Sequence, residues 1–207
     1  MHEFFDGIIA GVRATSLLEW IAVAFGIASV VFSMLRRLLV YPTGIISVDK
    51  YIYIAFVYKL YADAGVNIYY FIMSVYGWYF WANGKQQNSQ VVISANNSKE
   101  NMFSLLILGT SLLIISQLLL RFTDSDVPYW DATTTSFAIT GMWLMARKKI
   151  ENWIAWIITD LISIPLYYHK GLFLTSFQFS VFTFLALWGY ITWRKTLMNQ
   201  KLANYAS

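Results

Sequence analysis

The sequence predicts an all-α membrane protein with seven transmembrane helices, and three observations lead there. Of 207 residues, 58% are hydrophobic and only 13% charged, whereas a soluble domain carries about a quarter charged residues. Aromatics make up 18%, with nine Trp, fourteen Tyr and fifteen Phe, a load that suits the aromatic belts at the two faces of a bilayer. Seven stretches have the roughly 20 mostly apolar residues that a membrane helix needs.

The first span, 16–35, follows a short tail containing Glu3 and Asp6. No persuasive small-residue cleavage site follows it, so it reads as a retained span and not a signal peptide. Spans 42–61 and 66–83 complete a first triplet. The stretch 84–101, GKQQNSQVVISANNSKEN, is the only long polar segment and reads as a linker between halves. A single connecting span, 103–122, precedes a second triplet at 130–147, 151–168 and 173–193. The remaining loops leave no room for a soluble domain, so 1–207 is one transmembrane domain. Repeat one covers 16–83 and repeat two 130–193.

The net charge is +4. In a membrane protein such an excess marks cytoplasmic loops and not a nucleic-acid partner. Arg13, Lys59, Arg121 and Lys170 fall on the side of the N-terminus. Arg36, Arg37, Lys85, Lys99, Arg147, Lys148, Lys149, Arg194, Lys195 and Lys201 fall on the other. The bias places the C-terminus in the cytoplasm and the N-terminus outside.

The chain resembles itself at a shift of 111, which puts Met34 on Met145, Arg36 on Arg147, Arg37 on Lys148, Asp49 on Asp160 and Asn67 on Gln178. One further residue of shift aligns Gly77 with Gly189 and Trp81 with Trp193, so that YGWYFW (76–81) matches WGYITW (188–193). Three spans, one connector and three spans give a 3+1+3 plan with parallel halves, as in transporters that bind substrate at the repeat interface.

Asp49 and Asp160 each lie eight or nine residues into a span, roughly 13 Å deep. An intramembrane carboxylate should face the bundle interior or water. Lys50 adjoins Asp49, but neighbours on a helix point about 100° apart. The two are therefore not expected to meet face to face, though either could bond another helix. Asp160 has no basic neighbour in its span and would suit a cationic substrate. Asn67 and Gln178 offer amides, for a polar ligand or for an interhelical hydrogen bond. Glu19 can snorkel at the edge of span one, and Gln117 reads as packing glue. Seven Trp lie in the cytoplasmic half, where a belt accounts for most. Trp156 precedes Asp160 by one helical turn on the same face; an indole beside a carboxylate can grip a flat cationic ring.

Several chemistries find no support. There is no Cys, hence no thiolate metal site. His2 and His169 form no metal motif, and there is no P-loop to drive pumping. No cofactor is called for. Span seven has no Lys, which excludes a retinal Schiff base there. A receptor would need an output domain or long cytoplasmic loops. A membrane enzyme would need Asp49 and Asp160 paired in space, and no nucleophile is evident.

The segments LYADAGVNIYYFIMSVYGWYFW (60–81), RKKIENWIAWIITDLISIPLY (147–167) and KGLFLTSFQFSVFTFLALWGYITW (170–193) resemble the PnuC family of vitamin-precursor transporters. The resemblance implies a seven-helix 3+1+3 fold similar to the SWEET sugar transporters, in a bacterial inner membrane. It implies facilitated diffusion of an unphosphorylated precursor, nicotinamide riboside above all, then trapping by a cytoplasmic kinase. Related members carry thiamine or riboflavin. Carried over by motif, the binding residues are Trp153, Trp156 and Asp160, with Gln178 from the following span and Asn67 from the first repeat. Nicotinamide riboside members tend to have Asn where this chain has Asp160, which brings thiamine forward as the alternative. The sequence is compatible with a homo-oligomer.

Overall fold

The computed structural model describes residues 2–14, 16–57, 61–83 and 92–206, and it is helical almost throughout. The helices are α1 (His2–Ala14), α2 (Leu17–Met34), α3 (Val40–Val57), α4 (Tyr61–Asn83), α5 (Ser98–Phe122), α6 (Pro128–Ala146), α7 (Glu151–His169) and α8 (Phe173–Ala206). Helices α2 to α8 fall on the seven stretches read from the sequence as apolar, α8 extending beyond its own.

The sequence reading missed three features. Helix α1 occupies what was expected to be a tail and, among the described residues, packs on α8 alone, where Gly7 and Gly11 let its backbone approach Phe173 and Leu174. At 13 residues it is about 20 Å long, too short to register as a span. Helix α8 runs past the expected boundary through Arg194 and Lys195 to Ala206. The polar stretch before α5 is not all linker. Asn97 caps α5, its side chain accepting from Glu100 N while the Glu100 carboxylate accepts from Asn97 N, a reciprocal pair typical of a helix start. Ser94 and Lys149 form a short bridge, and Lys149 pairs with Glu100 at 2.7 Å. Ser94 and Glu100 thereby pin the described part of the stretch, from residue 92 on, to the α6–α7 turn.

Each triplet packs internally, α2 on α3 on α4 and α6 on α7 on α8. The triplets meet along two seams, α2 with α8 and α4 with α6, while α5 packs on α6 only, among the described residues. Helix α5 shows large apolar side chains outward, Met102, Leu105 and Leu113 each being at least 66% exposed. An apolar face of that extent needs a lipid environment. Among the described residues, Ser98–Phe122 and Phe173–Gln200 are long and apolar enough to cross a membrane by composition alone. The other helices carry Ser, Thr, Asn and Asp that lower their hydropathy.

The turns of the two triplets are superimposable in hydrogen bonding. Leu35, Arg36 and Arg37 N–H donate to the carbonyls of Val31, Ser33 and Phe32; Arg147, Lys148 and Lys149 donate to those of Trp143, Met145 and Leu144. Arg36 and Lys148 both take a φ of 58°, the left-handed conformation that reverses a helix end. Every pair is separated by 112 residues. The expected register of 111, which paired Asp49 with Asp160, is therefore one residue short; the 112 register of Gly77/Gly189 and Trp81/Trp193 holds throughout.

Candidate functional site

Between the triplets lies a cavity of about 530 Å³ walled by α2, α3, α4, α6, α7 and α8. Neither α1 nor α5 contributes to it. Its walls follow the same register of 112. Ala22 and Thr134, Tyr41 and Trp153, Gly44 and Trp156, Ser47 and Thr159, Val48 and Asp160, Val66 and Gln178, and Tyr70 and Phe182 all line it as equivalent pairs. The positions match while the chemistry does not: Gly44, Val48 and Val66 stand where the second triplet carries Trp156, Asp160 and Gln178.

Five of the six residues singled out in the sequence line this cavity: Asp160, Trp156, Trp153, Gln178 and Asn67. Asp160 is 3% exposed, and no hydrogen bond or ion pair joins its carboxylate to another of the described residues. Trp156, one turn earlier on α7, faces Tyr70 of α4 with ring centroids 6.4 Å apart, tilted 58°. Tyr70 thus closes the aromatic wall from the other triplet. Trp153 lies deeper, with its ring against Gly189.

Asp49 stands apart. It does not line the cavity; its carboxylate meets the Lys50 ammonium at 2.9 Å on the outward face of α3, with its side chain 60% exposed. The expectation that the neighbours could not meet fails because the long Lys side chain bends back across the angle between them. In the register of 112, Asp49 corresponds to Leu161, also outward at 53% exposed, and Val48 holds the place of Asp160. Gln117 is exposed on α5 and does not act as packing glue. The side chain of Glu19 and residues Lys59 and Lys85 lie outside the described residues.

A search confined to charges and amides missed the small polar residues of the first triplet. Ser29 donates to Val40 O and Ser47 to Ala22 O, both at 2.8 Å, across the α2–α3 contact. Ser29 and Ser33 lie one turn apart on α2, but nothing in the sequence marked them, Ser47 or Ser74 as facing a cavity. Among the described residues that wall the cavity, Asp160 is the only Asp or Glu, and none is Lys, Arg or His.

Comparison with known proteins agrees with this architecture. The family profile described as nicotinamide mononucleotide transporter matches residues 16–195, a segment holding every cavity-lining residue. The chain is 25% identical over 209 residues to the nicotinamide riboside transporter PnuC of Escherichia coli (strain K12), covering 89% of this chain and 87% of that protein. It is 24% identical over 172 residues to the riboflavin/roseoflavin transporter RibM of Streptomyces davaonensis, covering 81% and 80%. The crystal structure of a vitamin B3 transporter PnuC shares the fold, with a TM-score of 0.71 at 21% identity over 96% of this chain and 89% of that one. These relatives are transporters and not enzymes. The chain is a membrane protein belonging to the nicotinamide mononucleotide transporter family, which includes the PnuC proteins.

Proposed function

We propose that the protein carries nicotinamide riboside, an unphosphorylated cationic vitamin precursor, across the bacterial inner membrane by facilitated diffusion. The observation that carries the reading is a cavity whose described walls hold one acidic side chain and no basic one, the buried Asp160, with Trp156 a turn away. A pyridinium ring is flat and positive: the indole stacks on it and the carboxylate supplies the countercharge. The same cavity argues against the mononucleotide. A buried phosphate needs cationic partners, and the described walls carry none. Gln178 and Asn67 supply amide contacts nearer the opposite end.

Thiamine is the second reading, favoured by Asp160 itself. A carboxylate pairs with a thiazolium or aminopyrimidine as well as with a nicotinamide ring. Riboflavin is neutral and would leave the carboxylate without a countercharge.

In this reading α2–α4 and α6–α8 are parallel repeats joined by α5, the seven-helix 3+1+3 plan, supported by the register of 112 in the turns and the cavity walls. The excess of basic residues on the α2–α3 and α6–α7 turns supports a cytoplasmic C-terminus. Because downhill transport only equilibrates its substrate, net accumulation in the cell would depend on a cytoplasmic kinase that traps the product. Flux of radiolabelled nicotinamide riboside, its mononucleotide, thiamine and riboflavin into proteoliposomes tests the proposal. Equilibration with the riboside, without accumulation, is expected; uptake of the mononucleotide in preference would refute it.

A further inference from the structure

We propose that Trp81 and Trp193 are gate residues, paired latches that hold the cavity shut at the end formed by the α2–α3 and α6–α7 turns. The inference rests on the transport reading, since a carrier with a central site must part its two halves at one end and then the other.

The halves touch along two seams, α2 with α8 and α4 with α6, and each seam has one indole bond at this end. Trp81, on α4, donates its Nε1–H to the Met145 carbonyl in the last turn of α6 at 3.3 Å. Trp193, on α8, donates to the Ser33 and Met34 carbonyls in the last turn of α2 at 3.1 and 3.2 Å. Donors and acceptors are both related by the register of 112. Each half lends an indole to the other, so the latch is reciprocal.

The acceptors make these bonds reversible. Ser33 O already takes the Arg36 N–H at 3.0 Å, and Met145 O the Lys148 N–H at 2.9 Å. At Ser33 O and Met145 O the indoles use the remaining lone pair, so their release leaves the Arg36 and Lys148 bonds that close both helix ends intact. Ser33 and Met145 also line the cavity, so the bonded residues form its floor. Met34, Trp81 and Trp193 join the cavity-lining Tyr41 and Trp153 in one buried cluster, with Tyr41 and Trp193 0% exposed, which packs this end. The Tyr69 hydroxyl also bridges a seam, to Ile139 O at 3.0 Å, but Val181, its counterpart, offers no such group. The exchanged pair is confined to the closed end.

The chain has no Cys, so Ser33→Cys introduces a single thiol at the floor. In that background Trp81→Phe, Trp193→Phe and the double variant remove the indole N–H while keeping an aromatic ring. Trp78→Phe, an outward residue of the same motif at 40% exposed, is the control. Thiol labelling by a membrane-impermeant maleimide is followed in spheroplasts and in inverted vesicles, with nicotinamide riboside binding and melting measured on purified protein. Each single variant should label faster, from the side of the Arg36 and Lys148 turns, by about tenfold, the worth of one or two hydrogen bonds. The double variant should label faster still, and Trp78→Phe at the parent rate, with binding retained. Unchanged labelling in a folded double variant would overturn the proposal. So would loss of melting stability in both singles without faster labelling, which would make the indoles fixed staples. If the parent with both Trp intact neither binds nor transports any of the four vitamins, the transport reading fails by itself, whatever the labelling shows.

Discussion

Tyr41 and Trp153, 112 residues apart, occupy one position in two copies of the same arrangement. Each ring meets a tryptophan edge-on, Tyr41 with Trp81 at 5.2 Å and 89°, Trp153 with Trp193 at 5.5 Å and 88°. Each also lies against a glycine that leaves no room for a methyl group: a Cβ on Gly77 would sit 2.5 Å from the Tyr41 ring, and one on Gly189 2.5 Å from the Trp153 ring.

These glycines should therefore behave alike. Gly77→Ala and Gly189→Ala each force a packed ring aside and should destabilise the protein by about 1–3 kcal/mol, the usual cost of overpacking. Gly109→Ala on α5, where nothing lies within 4 Å, should stabilise it by about 0.5–1 kcal/mol through helix propensity alone. Melting curves of the three purified variants check the contrast.

Asp160→Asn keeps the shape and removes the charge. A cationic vitamin should then bind about 30- to 150-fold more weakly, equivalent to losing roughly 2–3 kcal/mol from a charge-assisted contact. Stability should hold or rise, because an unpaired buried carboxylate is unfavourable and Lys50 is already engaged by Asp49. Titration and melting of one preparation decide: unchanged affinity with lowered melting would assign Asp160 a structural role.

The outward pair Asp49–Lys50 should be irrelevant to binding. Asp49→Leu strands Lys50 at mid-span and should cost on the order of 2–3 kcal/mol in lipid, the insertion cost of a lone charge. The double change Asp49→Leu with Lys50→Leu should be neutral or stabilising, as when a paired charge is replaced by apolar groups. Melting in nanodiscs measures both, and vitamin affinity should not move in either.

Lys148, in the α6–α7 turn, is 4% exposed, with its ammonium 4.4 Å from the centre of the Trp81 ring. Burial, reinforced by the charge of Arg36, lowers its pKa from 10.5 to about 8. Between those values the unfolded chain holds a proton that the folded chain has shed, so this residue makes stability rise with pH from about 8 to 10.5 and weighs against the fold below 8. Lys148→Met should abolish that rise and be neutral or stabilising at pH 7. Melting temperatures across pH 7–10 test the sign.

Composition and span length made the seven long helices legible, because lipid imposes a single requirement on each: about 20 residues of mostly apolar sequence. Helix α1 was not legible, being too short for that test. The cavity lining was legible where its chemistry is anomalous in a membrane, as at Asp160, Trp156 and Gln178. It was illegible at Ser33, Ser47 and Tyr41, because Ser and Tyr are unremarkable in any helix until a neighbour's position is known. The error at Asp49 has a specific cause. Identical letters attracted the alignment to 111, whereas backbone hydrogen bonds obey 112, and one residue on a helix turns a side chain by about 100°.

The unequal walls of the cavity bear on how such a protein changes over generations. Trp156, Asp160 and Gln178 belong to one triplet, while Gly44, Val48 and Val66 hold the matching places in the other. Substitutions at Gly44, Val48 and Val66 would alter the space in the cavity while leaving Trp156, Asp160 and Gln178 unchanged. A lineage can therefore enlarge or trim the chamber on one side while the polar and aromatic groups of the other are inherited intact. Gly44, opposite in kind to Trp156, is the position from which such drift in ligand size would start.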